Sequence, residues 1–297
     1  MNNESYHKTS INWYPGHMAK TRKQIMQDLS IIDVVIELLD ARLPLSSRNP
    51  NIQEMTKNKR KIIILNKVDL ADEKLLKKWQ EYFSKEAVCL LTDANTGRGI
   101  DKVSKAIDEL MKEEKERQAA RGRINKTVRV MILGIPNVGK SSFINKISKK
   151  NSLEVANRPG VTRQKQWIRI GKNQELLDTP GVLWPKFESE EVSLNLAFSG
   201  TIKDNVLVLT DIAYELLKKL DKTYRKNILE RYKILEEDYN EILENENPMY
   251  ELMQVIGRKR GAIISGGRID DEKVAKIILD DFRSGKLGRI TLEAPNM

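Results

Sequence analysis

Short apolar runs alternate with amphipathic segments through the first two thirds of the chain. These runs are apolar almost throughout, which predicts buried strands of the parallel type. They lie at 33–39, 61–65, 87–91 and 127–133. Helical spacing marks 50–57, 72–85 and 99–119, and 165–170 with 174–177 predict a hairpin across Gly171. Strands that alternate with helices predict an α/β fold with a mostly parallel sheet covered on both faces.

Beyond about Pro185 the strand signal fades and helical spacing dominates. The helical segments lie at 188–198, 205–218, 223–232, 249–256 and 271–284. A further helix, with a basic outer face, is predicted near the start at 17–30. We therefore predict two domains, an α/β domain at 1–190 and an all-helical domain at 191–297.

Charge and cysteine content narrow the class of protein. The net charge of +10 favours a polyanionic partner such as RNA, DNA or an anionic membrane face, although it also suits general surface solubility. Cys89 is the single cysteine, which excludes an internal disulfide or a zinc cluster. The first residues lack a signal-peptide apolar segment, and the run at 31–39 is too short to span a bilayer. A cytoplasmic protein is expected.

A phosphate-binding loop is predicted at 134–141, Gly-Ile-Pro-Asn-Val-Gly-Lys-Ser, which matches Gly-x4-Gly-Lys-Ser/Thr between a strand and a helix. Its backbone N–H groups and the helix dipole would surround phosphate oxygens. Lys140 would reach the β- and γ-phosphates, and the Ser141 hydroxyl would bind Mg²⁺. The alternative is a glycine-rich structural turn. The predicted contacts are Asn137, Val138, Gly139, Lys140, Ser141 and Ser142.

Asp178-Thr179-Pro180-Gly181 follows the strand at 174–177 and predicts the other side of the phosphate site. Asp178 would hold Mg²⁺, and the Gly181 N–H would meet the γ-phosphate. Between the two motifs, Thr162 could approach Mg²⁺ only when the γ-phosphate is present, which is a switch role. The alternative is an ordinary Pro-Gly turn with a bystander threonine.

Asn66-Lys67-Val68-Asp69 follows the strand at 61–65 and predicts a guanine site. Asp69 would accept from N1–H and the exocyclic amine of guanine, a donor pair that adenine lacks. The Lys67 stem would cover the ring, and Asn66 would brace the neighbouring loop. After the next strand, Asp93 and Ala94 would close over the base, with a backbone N–H near Ala94 meeting O6. A helix-capping polar loop is the alternative for that segment.

The motifs occur in an unusual order, because the base motif precedes the phosphate loop. In this order, and in the segments Trp13 to Lys20, Asp40-Ala41-Arg42 and Asp178 to Phe187, the chain resembles the circularly permuted bacterial GTPases that assist ribosome assembly. It is most similar to the YlqF-like family of ribosome biogenesis GTPase A. Lys259-Arg260-Gly261 and Ser265-Gly266-Gly267 resemble that family's tail. The likeness covers nearly the whole chain.

This resemblance implies a GTPase with Mg²⁺ that binds GTP and GDP and acts late in maturation of the large (50S) ribosomal subunit, in contact with its rRNA. No membrane or DNA partner is expected. The alternatives are a GTP-dependent RNA-modification or small-subunit assembly factor, and a nucleotide-sensing scaffold without hydrolysis.

The group that positions the attacking water is not evident from the motifs. Many GTPases use a glutamine after Asp-x-x-Gly, and Val182 stands there. Three sources stay open. The histidine that matches His17 in the resembling family is implicated in hydrolysis. Asn137 resembles the asparagine of GTPases that hold K⁺ against the phosphates. The ribosomal partner could also complete the site. Basic residues in the helical part suit phosphate-backbone contact, with a solvated charged face as the alternative.

Overall fold

A computed structural model describes residues 17–122, 126–149, 167–179, 181 and 189–295. These residues form two compact units. Within the described ranges, the first unit comprises 17–181 and 293–295, and the second comprises 189–292. The predictions made for Thr162 and Val182 lie outside the described residues.

The first unit contains a six-stranded sheet. Its strands are β1 (Val34–Asp40), β2 (Arg60–Asn66), β3 (Val88–Leu91), β4 (Val128–Leu133), β5 (Trp167–Gly171) and β6 (Gln174–Leu177). The order across the sheet is β3-β2-β1-β4-β6-β5, and every neighbouring pair is parallel except β5 and β6. Val35 and Ile36 point to opposite faces and both have no exposure, so the sheet is covered on both sides. The predicted α/β class and mostly parallel sheet are confirmed.

Helices cover this sheet. They are α1 (His17–Leu29), α2 (Pro50–Thr56), α3 (Glu73–Ser84), α4 (Asp101–Leu110), α5 (Lys112–Ala120) and α6 (Lys140–Lys149). Trp79 and Phe83 of α3 pack on β2, and Ile25 of α1 packs among β1 and β4 residues. The single long helix predicted at 99–119 is wrong. Buried Met111 leaves the helical backbone region, with φ −101° and ψ 1°, and separates α4 from α5.

The topology gathers the motif loops at one edge. The chain runs from β1 outward to β2 and β3, and then returns to place β4 on the other side of β1. The loops after β1 and β4 therefore diverge, and in open α/β sheets such a point leaves a crevice outside the carboxyl ends of the strands. The residues after β1, β2, β3, β4 and β6 all lie along this edge, which includes every motif predicted to bind nucleotide within the described residues.

The second unit is helical. It contains α7 (Glu190–Phe198), α8 (Leu209–Tyr232), α9 (Glu236–Leu243), α10 (Pro248–Arg260) and α11 (Asp271–Arg283). Helix α8 contains a kink at Tyr224 (φ −126°), where two helical segments meet, close to the break predicted between 218 and 223. Helix α9 was not predicted, and a short bridge joins Ile263 to Ile269 between α10 and α11. None of the described helices has the length and apolarity needed to cross a membrane.

The end of the chain returns to the first unit. The Glu293 carboxylate accepts from the backbone N–H groups of Leu45 (2.7 Å) and Ser46 (3.0 Å) and from the Ser46 hydroxyl. The indole N–H of buried Trp79 donates to the Glu293 carbonyl at 3.1 Å. The predicted range 191–297 did not anticipate this return, because the contacts join residues more than 200 positions apart. We call residues 293–295 the C-terminal strap.

Candidate nucleotide-binding site

The phosphate loop joins β4 to α6 in a tightly turned conformation. Asn137 and Gly139 both adopt left-handed backbone angles, with φ of 62° and 94°. A side chain at Gly139 would place its Cβ 2.5 Å from Asn66 Nδ2, so only glycine fits there. Ser141 and Ser142 lie exposed in the first turn of α6. Backbone N–H groups at this helix start can bind phosphate oxygens.

Lys140 lies beneath this loop. Its ammonium donates to the carbonyls of Gly134 and Ile135, each at 2.9 Å. Burial lowers the pKa of Lys140 to about 8, against the opposing effect of the Asp178 carboxylate. Phosphate oxygens beside the ammonium would favour its charged form, because an opposite charge nearby stabilises that form.

The segment after β6 lies against the same loop. Thr179 is buried, and its hydroxyl donates to the carbonyl of Ile132 in β4. A Cβ at Gly181 would lie 2.8 Å from Lys140 Nζ and 2.9 Å from the Pro136 nitrogen. Glycine is therefore required where this segment passes the phosphate loop, and Asp178 is close enough to act on the Lys140 charge. The carboxylate of Asp178 is exposed.

Asn66 connects three of the predicted motifs. Its side-chain amide donates to the Val138 carbonyl in the phosphate loop at 2.9 Å. Its side-chain oxygen accepts from the Thr92 hydroxyl and from Ala94 N–H, each at 3.1 Å. The bracing that the sequence predicted for Asn66 thus has a specific geometry, and one buried amide links the ends of β2, β3 and β4.

Asp69 carries an unused acceptor in this crevice. Among the described residues, its Oδ1 is one of the few buried side-chain atoms without a hydrogen-bond partner. Burial and the neighbouring Asp93 raise the pKa of Asp69. A buried acceptor without a donor is costly, so the site favours a ligand that brings N–H groups to this oxygen. Guanine presents two such donors on one edge.

The loop after β3 is held by its own contacts. Asp93 is buried, and its carboxylate accepts from Asn95 N–H (2.8 Å) and the Thr96 hydroxyl (2.5 Å). Ala94 N–H already donates to Asn66, so contact with guanine O6 would require that hydrogen to be shared. Val68 is buried and its N–H donates to the Thr92 carbonyl at 3.3 Å. The base contacts predicted for Val68, Asp93 and Ala94 stay predictions.

Lys67 joins the base motif to the phosphate loop. It has a left-handed backbone (φ 62°), and its ammonium donates to the Asn137 carbonyl at 2.5 Å and to Asp40 Oδ2 at 2.8 Å. The sequence did not predict a role for Asp40 beyond the family likeness. Its position was a usable signal, because Asp40 is a polar residue at the end of a buried strand, where the other motifs also begin.

Two predicted catalytic residues are not placed by these contacts. His17 begins α1, and its side chain lies outside the described side chains. Thr162 lies outside the described residues altogether. Their predicted roles in positioning water and binding Mg²⁺ remain to be tested.

Known proteins resemble the chain over most of its length. A family model described as 50S ribosome-binding GTPase matches residues 129–252. Ribosome biogenesis GTPase A from Bacillus cereus is 46% identical over 286 residues, which cover 96% of this chain and 94% of that protein. The Thermotoga maritima protein of the same name is 30% identical, with 96% and 95% covered.

Solved structures agree with this likeness. The crystal structure of GNP-bound YlqF from T. maritima has a TM-score of 0.66 and 26% identity, and covers 93% of this chain and 99% of that one. The GDP-bound structure of the same protein has a TM-score of 0.63. Sequence identity over nearly the full length and the predicted motif order lead to one assignment. The chain belongs to the ribosome biogenesis GTPase A family and is a GTPase.

Proposed function

We propose that this GTPase binds the maturing large ribosomal subunit and hydrolyses GTP to complete a late assembly step in the cytoplasm. The observation that carries the proposal is a group of exposed or half-exposed basic side chains at the ends of α8 and α10, the α10 basic cluster. Its members are Lys233, Arg258, Lys259 and Arg260. The Lys259 ammonium lies 2.8 Å from the Lys233 carbonyl, so these charges are concentrated. Such a surface suits RNA phosphates.

Other basic residues of the second unit contribute less to such a surface. Lys218, Lys219 and Arg225 pair with Glu215, Glu191 and Asp221 at 2.7–3.3 Å. These pairs suit the alternative of a solvated charged face. The description of the matched family as 50S ribosome-binding also supports the large subunit over the small one.

Sedimentation with purified ribosomal subunits tests the proposal. The protein should travel with the large subunit when a non-hydrolysable GTP analogue is bound, and less so with GDP. Equal association in the two nucleotide states would contradict the prediction that the γ-phosphate controls binding to the subunit. Association with the small subunit alone would favour the alternative of a small-subunit or RNA-modification factor.

Within the nucleotide site, we assign guanine recognition to Asp69 with Lys67, and phosphate binding to residues 137–142 and Gly181. The hydroxyls of Ser141 and Thr162 and the carboxylate of Asp178 suit Mg²⁺, which takes few protein oxygens and completes its shell with phosphates and water. Mg²⁺ would neutralise charge on the transferring phosphate.

Replacing His17 by alanine should leave nucleotide affinity intact while ribosome-stimulated kcat falls by about 10²-fold, as is usual when a proton-handling or water-positioning group is lost. The measurement is steady-state GTP hydrolysis with and without large subunits. The His7→Ala variant is a matched control, since it removes the other histidine. A stimulated kcat equal to that of the unmodified protein would exclude this role for His17.

Potassium should support faster hydrolysis than sodium if Asn137 holds a monovalent cation against the phosphates. The comparison is kcat at equal ionic strength in KCl and NaCl, with Asn137→Ala expected to lose the difference. Equal rates in the two salts would remove the case for K⁺.

A further inference from the structure

Asp40, the last residue of β1, is a saturated buried carboxylate. It is 2% exposed. Arg42 donates to it three times, from its backbone N–H (3.0 Å), Nε (3.0 Å) and Nη2 (2.8 Å). The Lys67 ammonium is the fourth donor, at 2.8 Å. A carboxylate has about four acceptor positions, so this one is fully used.

The fourth donor connects Asp40 to nucleotide chemistry. Lys67 Nζ lies between Asp40 Oδ2 and the Asn137 carbonyl, and its side chain is 19% exposed. Burial and the nearby Arg42 charge lower the pKa of Lys67, and Asp40 opposes that effect. Burial would raise the pKa of Asp40, but the positive charges of Arg42 and Lys67 outweigh it and hold that pKa far below the usual range. The carboxylate is therefore ionised throughout the physiological range, and it fixes the position of the lysine.

Strand order explains why Asp40 can do this. β1 lies between β2 and β4, and Asp40 pairs in register with Asn66, the residue before Lys67. The ends of β2 and β4 carry the base motif and the phosphate loop. A side chain at the end of β1 therefore lies between the base motif and the phosphate loop, where it can hold a residue that contacts both. Both Lys67 and Asn137 have left-handed backbones, which raises the need for an outside contact to hold them.

We propose that Asp40 is a positioning residue for guanine-nucleotide binding, which holds the Lys67 ammonium against the phosphate loop so that the lysine stem stands beside the base. This inference rests on the proposed role of Lys67 in nucleotide binding. Asp40 touches neither base nor phosphate in this scheme and acts only through Lys67.

The competing explanation is that Asp40 only closes the loop after β1 by pairing with Arg42. The two explanations differ in a double-mutant cycle. If Asp40 acts through Lys67, then Asp40→Asn and Lys67→Ala each weaken GDP and GTP binding by about 10- to 100-fold, since each loses hydrogen bonds to a charged group. The double variant should then bind no more weakly than Lys67→Ala alone.

Glu37 provides the matched control. It is a buried carboxylate on the same strand, and it pairs with the Arg48 guanidinium at 3.1 Å and 3.2 Å. Glu37→Gln and Asp40→Asn should both lower the melting temperature, but Glu37→Gln should leave nucleotide affinity unchanged. In hydrolysis assays Asp40→Asn should raise KM and leave kcat nearly unchanged, because it removes binding shared by ground and transition states.

Fluorescent GDP and GTP titrations of the full chain decide the matter, with thermal unfolding measured alongside. Additive losses in the double variant, or wild-type affinity in folded Asp40→Asn, would overturn the inference. If Asp40→Asn does not fold, Asp40→Glu is the second variant, because it keeps the charge but moves it by one methylene. Its loss of nucleotide affinity should be smaller and should still be non-additive with that of Lys67→Ala. Wild-type affinity in Lys67→Ala would instead reject the proposed role of Lys67 itself.

Discussion

Replacing Asp69 by asparagine should weaken GTP binding by about 10²–10⁴-fold, because hydrogen bonds to a charged acceptor contribute about 1.5–3 kcal/mol each. The buried Oδ1 of Asp69 lacks a protein donor, and guanine would supply two N–H groups to this carboxylate. An asparagine amide keeps one acceptor but turns an N–H₂ group toward the exocyclic amine of guanine. Two donors then face each other, and the base is rejected.

The same variant should gain affinity for xanthosine triphosphate. Xanthine carries a carbonyl where guanine carries the amine, so the asparagine donor finds an acceptor. Competition titrations with GTP, XTP and ATP on both proteins measure the exchange of specificity. Asp33→Asn is a suitable control, since Asp33 pairs with Lys126 and Arg129 N–H away from the motif loops. If GTP and XTP affinities change in parallel, Asp69 does not read the base.

Replacing Lys140 by alanine should reduce kcat/KM for GTP by about 10²–10³-fold, the loss expected when one preorganised group that stabilises transition-state charge is removed. Its ammonium lies within the phosphate loop, and burial already weakens its charged form. Keeping the Lys140 ammonium charged at this buried position costs free energy, and a bound phosphate would offset that cost. Part of the loss should appear in kcat, because charge develops during phosphoryl transfer.

Single-turnover hydrolysis and GDP titration separate the two contributions for Lys140→Ala. Lys105→Ala removes the same charge from an exposed position on α4 and should change neither. A Lys140→Ala variant with unchanged kcat at saturating GTP would show that the lysine serves ground-state binding alone.

The sheet and its motifs were predictable because their signals are local. Each strand is a short apolar run, and the loops that lead to Lys140 and Asp69 each follow one, so periodicity and spacing sufficed to predict the class and the candidate residues. The structural comparison confirms the class. The break at Met111 was not predictable, because a buried methionine with a non-helical backbone leaves the helical spacing on either side unchanged.

Contacts between residues far apart in the chain could not be predicted from the sequence, for a physical reason. The Asp40–Lys67 pair depends on β1 lying beside β2, and strand order is a property of the whole chain. A backbone N–H near Ala94 was predicted to meet guanine O6, and the Ala94 N–H donates to Asn66, because the side chain at the end of β2 reaches that amide. Such competition for a single donor cannot be read from residue types.

The C-terminal strap makes the helical unit an insertion rather than an appendage. In sequence the helical unit lies between two parts of the first unit, and the Glu293 hydrogen bonds attach the second part to the turn after β1. Anchoring both ends of an inserted segment limits the conformations that the connecting chain can adopt. The helical unit is therefore connected to the first unit by two segments of chain, the one that follows Gly181 and the one that ends in the hydrogen bonds of Glu293.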